Sequence, residues 1–193
     1  MDQTKILDAP SIYPELLAKS EEIGFTMPSD MYIGTLLKTL ISSKPAGNFL
    51  ELGTGMSLSL VWMLEGMDKN SKLISIDNDK ELIQIAEHFF GEEKRLELIC
   101  EDGENWLSGY KGGKFDLIFA DAWPGKYSFL DQTLTLINEG GFYVIDDMKT
   151  QPNWPAGHEN NVSDLVDILE SREDFTITKM DWSTGVIVAV KIK

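Results

Sequence analysis

Phe49-Leu-Glu-Leu-Gly-Thr-Gly-Met-Ser-Leu-Ser59 is the stretch on which the fold turns. It begins as a β-rich apolar run, passes through Gly53 and Gly55, and opens an apolar helical pattern near Ser57. Two glycines between a strand and a helix allow a tight turn, and they let backbone N–H groups approach a ligand at the helix start. Asp77 ends the next β-rich run, 22 residues beyond Gly55. That is close to the offset at which a carboxylate reaches ribose hydroxyls in nucleotide-binding βαβ units. The stretch therefore predicts a strand–turn–helix that holds a nucleoside-containing cofactor.

The pattern repeats outward. Asn48–Leu52, Lys72–Asp77, Leu96–Glu101, Phe115–Asp121 and Phe142–Asp147 read as strands, with amphipathic helices between them. Ile33, Leu36, Leu37, Leu40 and Ile41 form one helical stripe with Ser29 as N-cap. Leu82, Ile85, Ala86 and Phe89 form another, capped by Asn78 with Glu81 closing the box and ended by Gly91. Leu130, Leu134 and Ile137 make a third, stopped at Gly140-Gly141; Val162, Leu165, Val166 and Leu169 make a fourth. Phe115–Ala120 is almost continuously apolar, as a strand covered on both faces must be, whereas Glu97 places Leu96–Cys100 nearer an edge. Phe175–Trp182 and Val186–Ile192, joined by Ser183-Thr184-Gly185, read as a hairpin. The expected fold is α/β: a doubly wound, mostly parallel seven-stranded sheet with an antiparallel C-terminal hairpin.

Composition narrows the function. The chain has 193 residues with 32 acidic and 17 basic side chains, a net charge of −15. Such a surface repels nucleic-acid phosphates and anionic membranes alike. The single cysteine, Cys100, suits a reducing compartment. No signal-peptide pattern opens the chain, and no apolar run nears the ~20 residues of a membrane span. The expectation is a cytoplasmic protein with a small-molecule ligand and neither nucleic acid nor membrane as partner.

Ligands of open parallel sheets bind beyond the carboxyl ends of the strands. Those ends are Glu51 with Gly53 and Gly55, then Asp77, Asp102, Asp121, and Asp146 with Asp147. Every end carries an acid. A dinucleotide would set its pyrophosphate against Glu51, and Leu58 stands where its fingerprint needs a third glycine. S-adenosylmethionine (SAM) carries a sulfonium and an ammonium and no phosphate, so Glu51 and Asp121 would attract it.

These segments resemble the class I SAM-dependent methyltransferases, and among them the small O-methyltransferases of the catechol and caffeoyl-CoA type. The resemblance runs from about Met27 to Asp147. It is carried by residues 49–55, Leu-Ile-Ser-Ile-Asp-Asn (73–78), Glu-Asp-Gly (101–103), Phe-Asp-Leu-Ile-Phe-Ala-Asp-Ala-Trp (115–123) and Gly-Gly-Phe-Tyr-Val-Ile-Asp-Asp (140–147). It implies one Rossmann-like domain over 1–193, with an N-terminal helical segment (1–26) and a cofactor-binding core (27–193). It assigns Gly53, Gly55 and Ser59 to the methionine end of SAM. Asp77 would hold the ribose, with Asn78 beside it; Asp102 and Gly103 would fix the adenine, and Asp121 and Trp123 would flank the methyl group. It also implies a divalent ion, Mg²⁺ or Ca²⁺, on Asp121, Asp146 and Asp147, where relatives show Asp, Asp and Asn.

Two departures leave alternatives open. The catechol-type lysine three residues past the strand-ending aspartate is Pro124 here, with Lys126 two residues later as the substitute base beside Asp121. The histidine that neighbours the adenine in some relatives is Ala122. Pro124 in place of the lysine keeps a non-catalytic SAM-binding protein beside the O-methyltransferase reading, and an NAD-dependent oxidoreductase, opposed by Glu51 and the missing third glycine, is the other alternative. Tyr13, Leu16 and Leu17 form a helical stripe with Pro14 at its start. Helices in that position in the family cover the acceptor pocket or join a homodimer interface. His88 reads as a helix-end residue, His158 as a cap of the following helix, and Trp62, Met63, Met67 and Cys100 as core. Trp154 reads equally as a cover for an aromatic acceptor and as packing for its own loop.

Overall fold

The computed structural model describes residues 2–6 and 8–193. Two helices, α1 (Tyr13–Glu22) and α2 (Met31–Ser42), precede the sheet. The chain then alternates β1 (Asn48–Leu52), α3 (Leu58–Gly66), β2 (Lys72–Asp77), α4 (Lys80–Phe90), β3 (Leu96–Cys100), α5 (Gly103–Gly109), β4 (Phe115–Ala120), α6 (Leu130–Thr135), β5 (Ile137–Ile145) and α7 (His158–Glu170). It closes with β6 (Phe175–Met180) and β7 (Val186–Lys191). The seven strands form one sheet in the order β3-β2-β1-β4-β5-β7-β6. β1 to β5 pair in parallel, and β7 runs antiparallel to both β5 and β6. This is the expected doubly wound sheet with its C-terminal hairpin.

Side-chain alternation along each strand feeds two layers. Leu50, Leu52, Ile118, Ala120, Tyr143 and Ile145 face α5, α6 and α7, whereas Phe49, Leu117, Phe119 and Val144 face α2 and α3. The chain steps outward from β1 to β3 and then returns to the other side of β1 as β4. The crevice at the carboxyl ends of β1 and β4 is the switch point of the sheet, where ligands of such folds bind. Among the described residues, no helix is long and apolar enough to cross a membrane.

Four local expectations need correction. The N-cap of α2 is Asp30, whose carboxylate accepts from the backbone N–H groups of Tyr32 and Ile33, and not Ser29. Likewise α4 is capped by Asp79 and not Asn78, because Asp79 accepts from Glu81 and Leu82 N–H. The third helix is short. Phe115 N–H donates to Leu136 O at 2.7 Å and draws Ile137 into β5, so Gly140 (φ +75°) is an irregularity within the strand rather than a helix stop. Cys100 is exposed, since β3 is the edge strand and this residue ends it.

Trp62 and Met63 are fully buried, and Met67 nearly so, as expected of a helix apolar all round. Helix α2 approaches α3 through Gly34, where a Cβ would land inside the Trp62 indole. Alanine at that position would gain about 1 kcal/mol of helix propensity. Overpacking against a rigid, fully buried ring costs more, typically 1–3 kcal/mol and at the upper end here. Gly34→Ala is thus expected to lower stability by about 2 kcal/mol, read as a reduced urea midpoint with an unchanged slope. An unchanged midpoint would mean that the helices separate freely.

Candidate active site

The turn after β1 is held from both sides. Gly53 has φ +101°, and a Cβ there would lie 2.9 Å from the carbonyl oxygen of Asp121. Asp121 N–H in turn donates to Leu52 O at 2.9 Å, so the ends of β1 and β4 are clasped together. Gly55 N–H donates to Asp77 Oδ2 and Asp79 N–H to Asp77 Oδ1, each at 2.9 Å. The Asp77 carboxylate is thereby fixed in orientation, while each oxygen keeps a further lone pair for a ligand hydroxyl.

Beneath the turn lies a buried polar chain. Ser59 Oγ donates to Glu51 Oε1 at 2.6 Å and Ser75 Oγ to Glu51 Oε2 at 2.5 Å, with Thr54 and Ser75 hydroxyls 2.6 Å apart. Glu51 is fully buried, and burial pushes its carboxyl up to about 7. It braces the glycine turn from behind and lines neither of the cavities in front.

Two adjoining cavities open at the switch point, one of about 310 Å³ and one of about 490 Å³. Gly53, Asp77, Asn78, Ala122 and Trp123 form their shared wall. Asp102 and Gly103 line the smaller one, and Gly55, Ser59, Asp121, Lys126 and Asp147 the larger. Apart from Glu51, every residue expected to touch the cofactor faces one of these spaces. Asp102 also has a structural duty: its Oδ1 caps α5 by accepting from Glu104 and Asn105 N–H, both at 3.0 Å. Gly103 is small for the neighbouring loop, since a Cβ there would lie 2.8 Å from Pro124 Cβ.

The far end of the larger cavity gathers charge. Asp121 and Asp146 lie well above the usual carboxylate range, chiefly through burial and secondly, for Asp121, through the neighbouring Asp146. Asp147 is raised mainly by burial, with the Lys126 charge opposing it. Lys126 is only 4% exposed, and its Nζ donates to the backbone oxygen of Asp146 at 2.5 Å. The Asp146 carboxylate is turned away from the cavity: its Oδ1 accepts from Asp147 N–H at 2.7 Å and from the Thr184 hydroxyl. Asp147 sits at φ +53°, a left-handed conformation that Asn and Asp tolerate best among side-chain-bearing residues. Among the described residues, no three His, Cys, Asp or Glu side chains are placed to hold one metal ion together. The expected Asp121, Asp146 and Asp147 set is close in space but, with the Lys126 side chain beside it, does not form a preassembled cage for a divalent ion.

Several residues of the site were not legible as such. Ser29 donates to Asp121 Oδ2 at 3.2 Å instead of capping α2. Thr184 reaches Asp146 from the hairpin tip, which folds against the β5 end through Met148 N–H to Gly185 O and Lys149 N–H to Thr184 O. Trp123, Tyr127, Trp154 and His158 form an aromatic wall on the larger cavity, with centroid separations of 4.6–6.0 Å. His158 is the first residue of α7, but Gly157 is its N-cap, and the imidazole packs against Trp154 rather than ending a surface turn. Within that wall the Tyr127 hydroxyl and His158 Nδ1 are buried with no hydrogen-bond partner among the described residues. The advance signals were Trp123, already expected at the methyl group, and the cluster of Trp, Pro and His in residues 151–158, next to the last acidic strand end.

The sequence profile of the O-methyltransferase family matches residues 15–177 of this chain. A provisionally named O-methyltransferase of Mycobacterium leprae (strain TN) is 26% identical over 183 residues, spanning 90% of this chain and 81% of that protein. Among solved structures, the O-methyltransferase of tomaymycin synthesis from Streptomyces achromogenes, crystallised with SAM, matches with a TM-score of 0.84 at 20% identity. The match covers 98% of this chain and 93% of that one. The Bacillus cereus O-methyltransferase, crystallised with SAH, gives 0.83 at 17% identity over 97% and 94% of the two chains. At such identities the structural likeness shows the fold, whereas the profile covers most of the chain. On that match, this chain belongs to the O-methyltransferase family.

Proposed function

We propose that this protein transfers a methyl group from SAM to a hydroxyl oxygen of a small, flat acceptor. The observation that carries the reading is the pair of adjoining acid-lined cavities with Asp77 fixed on their shared wall. A carboxylate held by two backbone N–H groups is preorganised for a ribose diol, and the surrounding acids favour a cationic cofactor over one with a pyrophosphate. The relatives solved with SAM and with SAH support the same cofactor here.

In this reading the smaller cavity takes the adenine between Asn78, Asp102 and Gly103. Gly53, Gly55 and Ser59 hold the methionine end, and Asp121 faces the sulfonium. When bound, SAM supplies the electrophilic methyl group, and attack by the acceptor oxygen breaks the S–CH₃ bond to leave S-adenosylhomocysteine (SAH). Trp123, Tyr127, Trp154 and His158 stack on a flat acceptor and exclude water from it. Tyr127 is pushed up to about 12 by burial and by the Asp147 and Asp121 carboxylates, so its hydroxyl remains a hydrogen-bond donor to the acceptor. Lys126 steadies the acceptor oxygen as it becomes anionic, and Asp121 receives its proton. Bond-making and bond-breaking balance without a further reactant.

Calorimetric titration tests the cofactor, and SAH release in the presence of phenols, carboxylates and amines tests the reaction. Micromolar binding of SAM and SAH, no binding of NAD, and turnover confined to hydroxylated acceptors are expected. Binding of NAD in place of SAM would return the protein to the oxidoreductases. SAM binding without turnover of any acceptor class would overturn the catalytic half of the proposal.

A further inference from the structure

The Asp121-Ala-Trp-Pro-Gly-Lys126 loop is built to bury a lysine. Gly125 has φ +85°, and a Cβ there would run into Leu52 Cδ1, so the loop lies directly on the core. Its backbone is tied by Gly125 N–H to Ser128 O at 2.7 Å and Tyr127 N–H to Trp123 O at 2.9 Å. The buried Tyr143 hydroxyl donates to Gly125 O at 2.6 Å. The result is a rigid platform that directs Lys126 inward beneath the strand ends, 4% exposed, with its Nζ 2.5 Å from Asp146 O.

That position lies among three acids. Lys126 lines the same cavity as Asp121 and Asp147, and its charge is felt by all three acids, although its direct bond is to the Asp146 backbone oxygen and not to a carboxylate. Buried carboxylates either take up protons or draw on a counter-charge, because left ionised and unpaired away from water they cost several kcal/mol each. The Asp146 carboxylate is meanwhile committed to Thr184 and to Asp147 N–H, and among the described residues no three acids converge on an ion-sized point. We propose that the Lys126 ammonium is the resident cation of this site, tethered among Asp121, Asp146 and Asp147, and that the protein operates without a divalent metal. The lysine takes over one task that a metal would have, which is to hold and stabilise an acceptor oxygen as it turns anionic.

This inference rests on the proposed methyl transfer for its chemical meaning, but its test needs neither SAM nor an acceptor. The protein free of ligand is titrated calorimetrically with Mg²⁺, Ca²⁺ and Mn²⁺ up to about 5 mM, above the range of weak oxygen-ligand calcium sites. No saturable uptake is expected. Lys126→Gln keeps a donor for the Asp146 carbonyl and removes the charge, so it is expected to bind one divalent ion, and Lys126→Gln combined with Asp147→Gly, which suits the left-handed backbone there and removes the ligand oxygen, is expected to lose it again. Saturable binding by the unsubstituted protein that disappears in Asp147→Gly would overturn the proposal. A folded Lys126→Gln protein that takes up no ion would also overturn it, by showing that the lysine does not stand in for one. If Lys126→Gln does not fold, the titration of the unsubstituted protein decides alone. Failure of SAM to bind would instead strike the proposed function and leave these metal results readable.

Discussion

Replacing Asp77 by alanine is expected to weaken SAM binding by about three orders of magnitude while leaving the fold intact. A ribose diol donates two hydrogen bonds to one carboxylate, and charge-assisted bonds of this kind contribute about 1.5–3 kcal/mol each. The lower end of that range already gives a factor above a hundred. Alanine also frees Gly55 N–H and Asp79 N–H, which now orient the carboxylate at 2.9 Å. Asparagine separates the two effects, because its single carbonyl oxygen can satisfy one of these N–H groups but not both. Asp77→Asn should fall between the parent and alanine, at about one to two orders of magnitude of lost affinity. Calorimetry with SAM and SAH reads both variants. Parent-like affinity in Asp77→Ala would remove the ribose from this wall and with it the placement of adenine in the smaller cavity.

The strand–turn–helix was readable because its chemistry is local. Gly53, Gly55 and the acid two residues before Gly53 follow from what a chain must do between β1 and α3, and period-2 and period-3.6 patterns marked the layers. Elements whose limits are set by tertiary contacts were read less well. Ile137 continues a helical stripe in sequence, yet the Phe115 N–H to Leu136 O bond and pairing with β4 pull it into the sheet. Ser29 and Asp30 are adjacent and both can cap a helix. Only the approach of Asp121 decides that the serine turns to the site and the aspartate caps.

The site shows the same division. Cavity-lining residues on strand ends were legible from the switch-point rule and from the family pattern. The aromatic wall was legible only in part: Trp123 was expected at the methyl group and Trp154 as one of two readings, but their meeting with Tyr127 and His158 was not, since Trp123 and Tyr127 come from one loop and Trp154 and His158 from another. Nor does a sequence state how a carboxylate is oriented. Asp146 ends a strand as expected, but Thr184, 38 residues away, settles which way it points. Glu51 is the sharpest case: the residue type was right for attracting a cation, and burial behind Ser59 and Ser75 gives it another task.

That task makes the stability of Glu51→Gln relative to the parent depend on pH. The folded carboxyl is pushed up to about 7, mainly by burial, against 4.5 for the same group in water. Below pH 4.5 the group is protonated in both the folded and the unfolded chain and contributes no pH dependence. Between 4.5 and 7 the unfolded chain has released the proton and the folded chain still holds it, so folding is increasingly opposed as pH rises. Above 7 both are ionised and the loss is complete, amounting to about 3 kcal/mol at 1.36 kcal/mol per pH unit of difference. Asp121 and Asp146 lie above the carboxylate range as well and carry the same sign, but they are common to both proteins and largely cancel in the difference. Glutamine is neutral throughout and retains an oxygen for one serine and an N–H₂ for the other hydroxyl to accept from. Urea unfolding at pH 4.5 and pH 8 should therefore show Glu51→Gln gaining about 3 kcal/mol on the parent between the two conditions. A pH-independent difference would mean that Glu51 ionises in the folded protein over the same range as in the unfolded chain, near 4.5. Its carboxylate would then be available to the cofactor's ammonium after all, and the turn would be braced by a charge rather than by a neutral hydrogen-bonded acid.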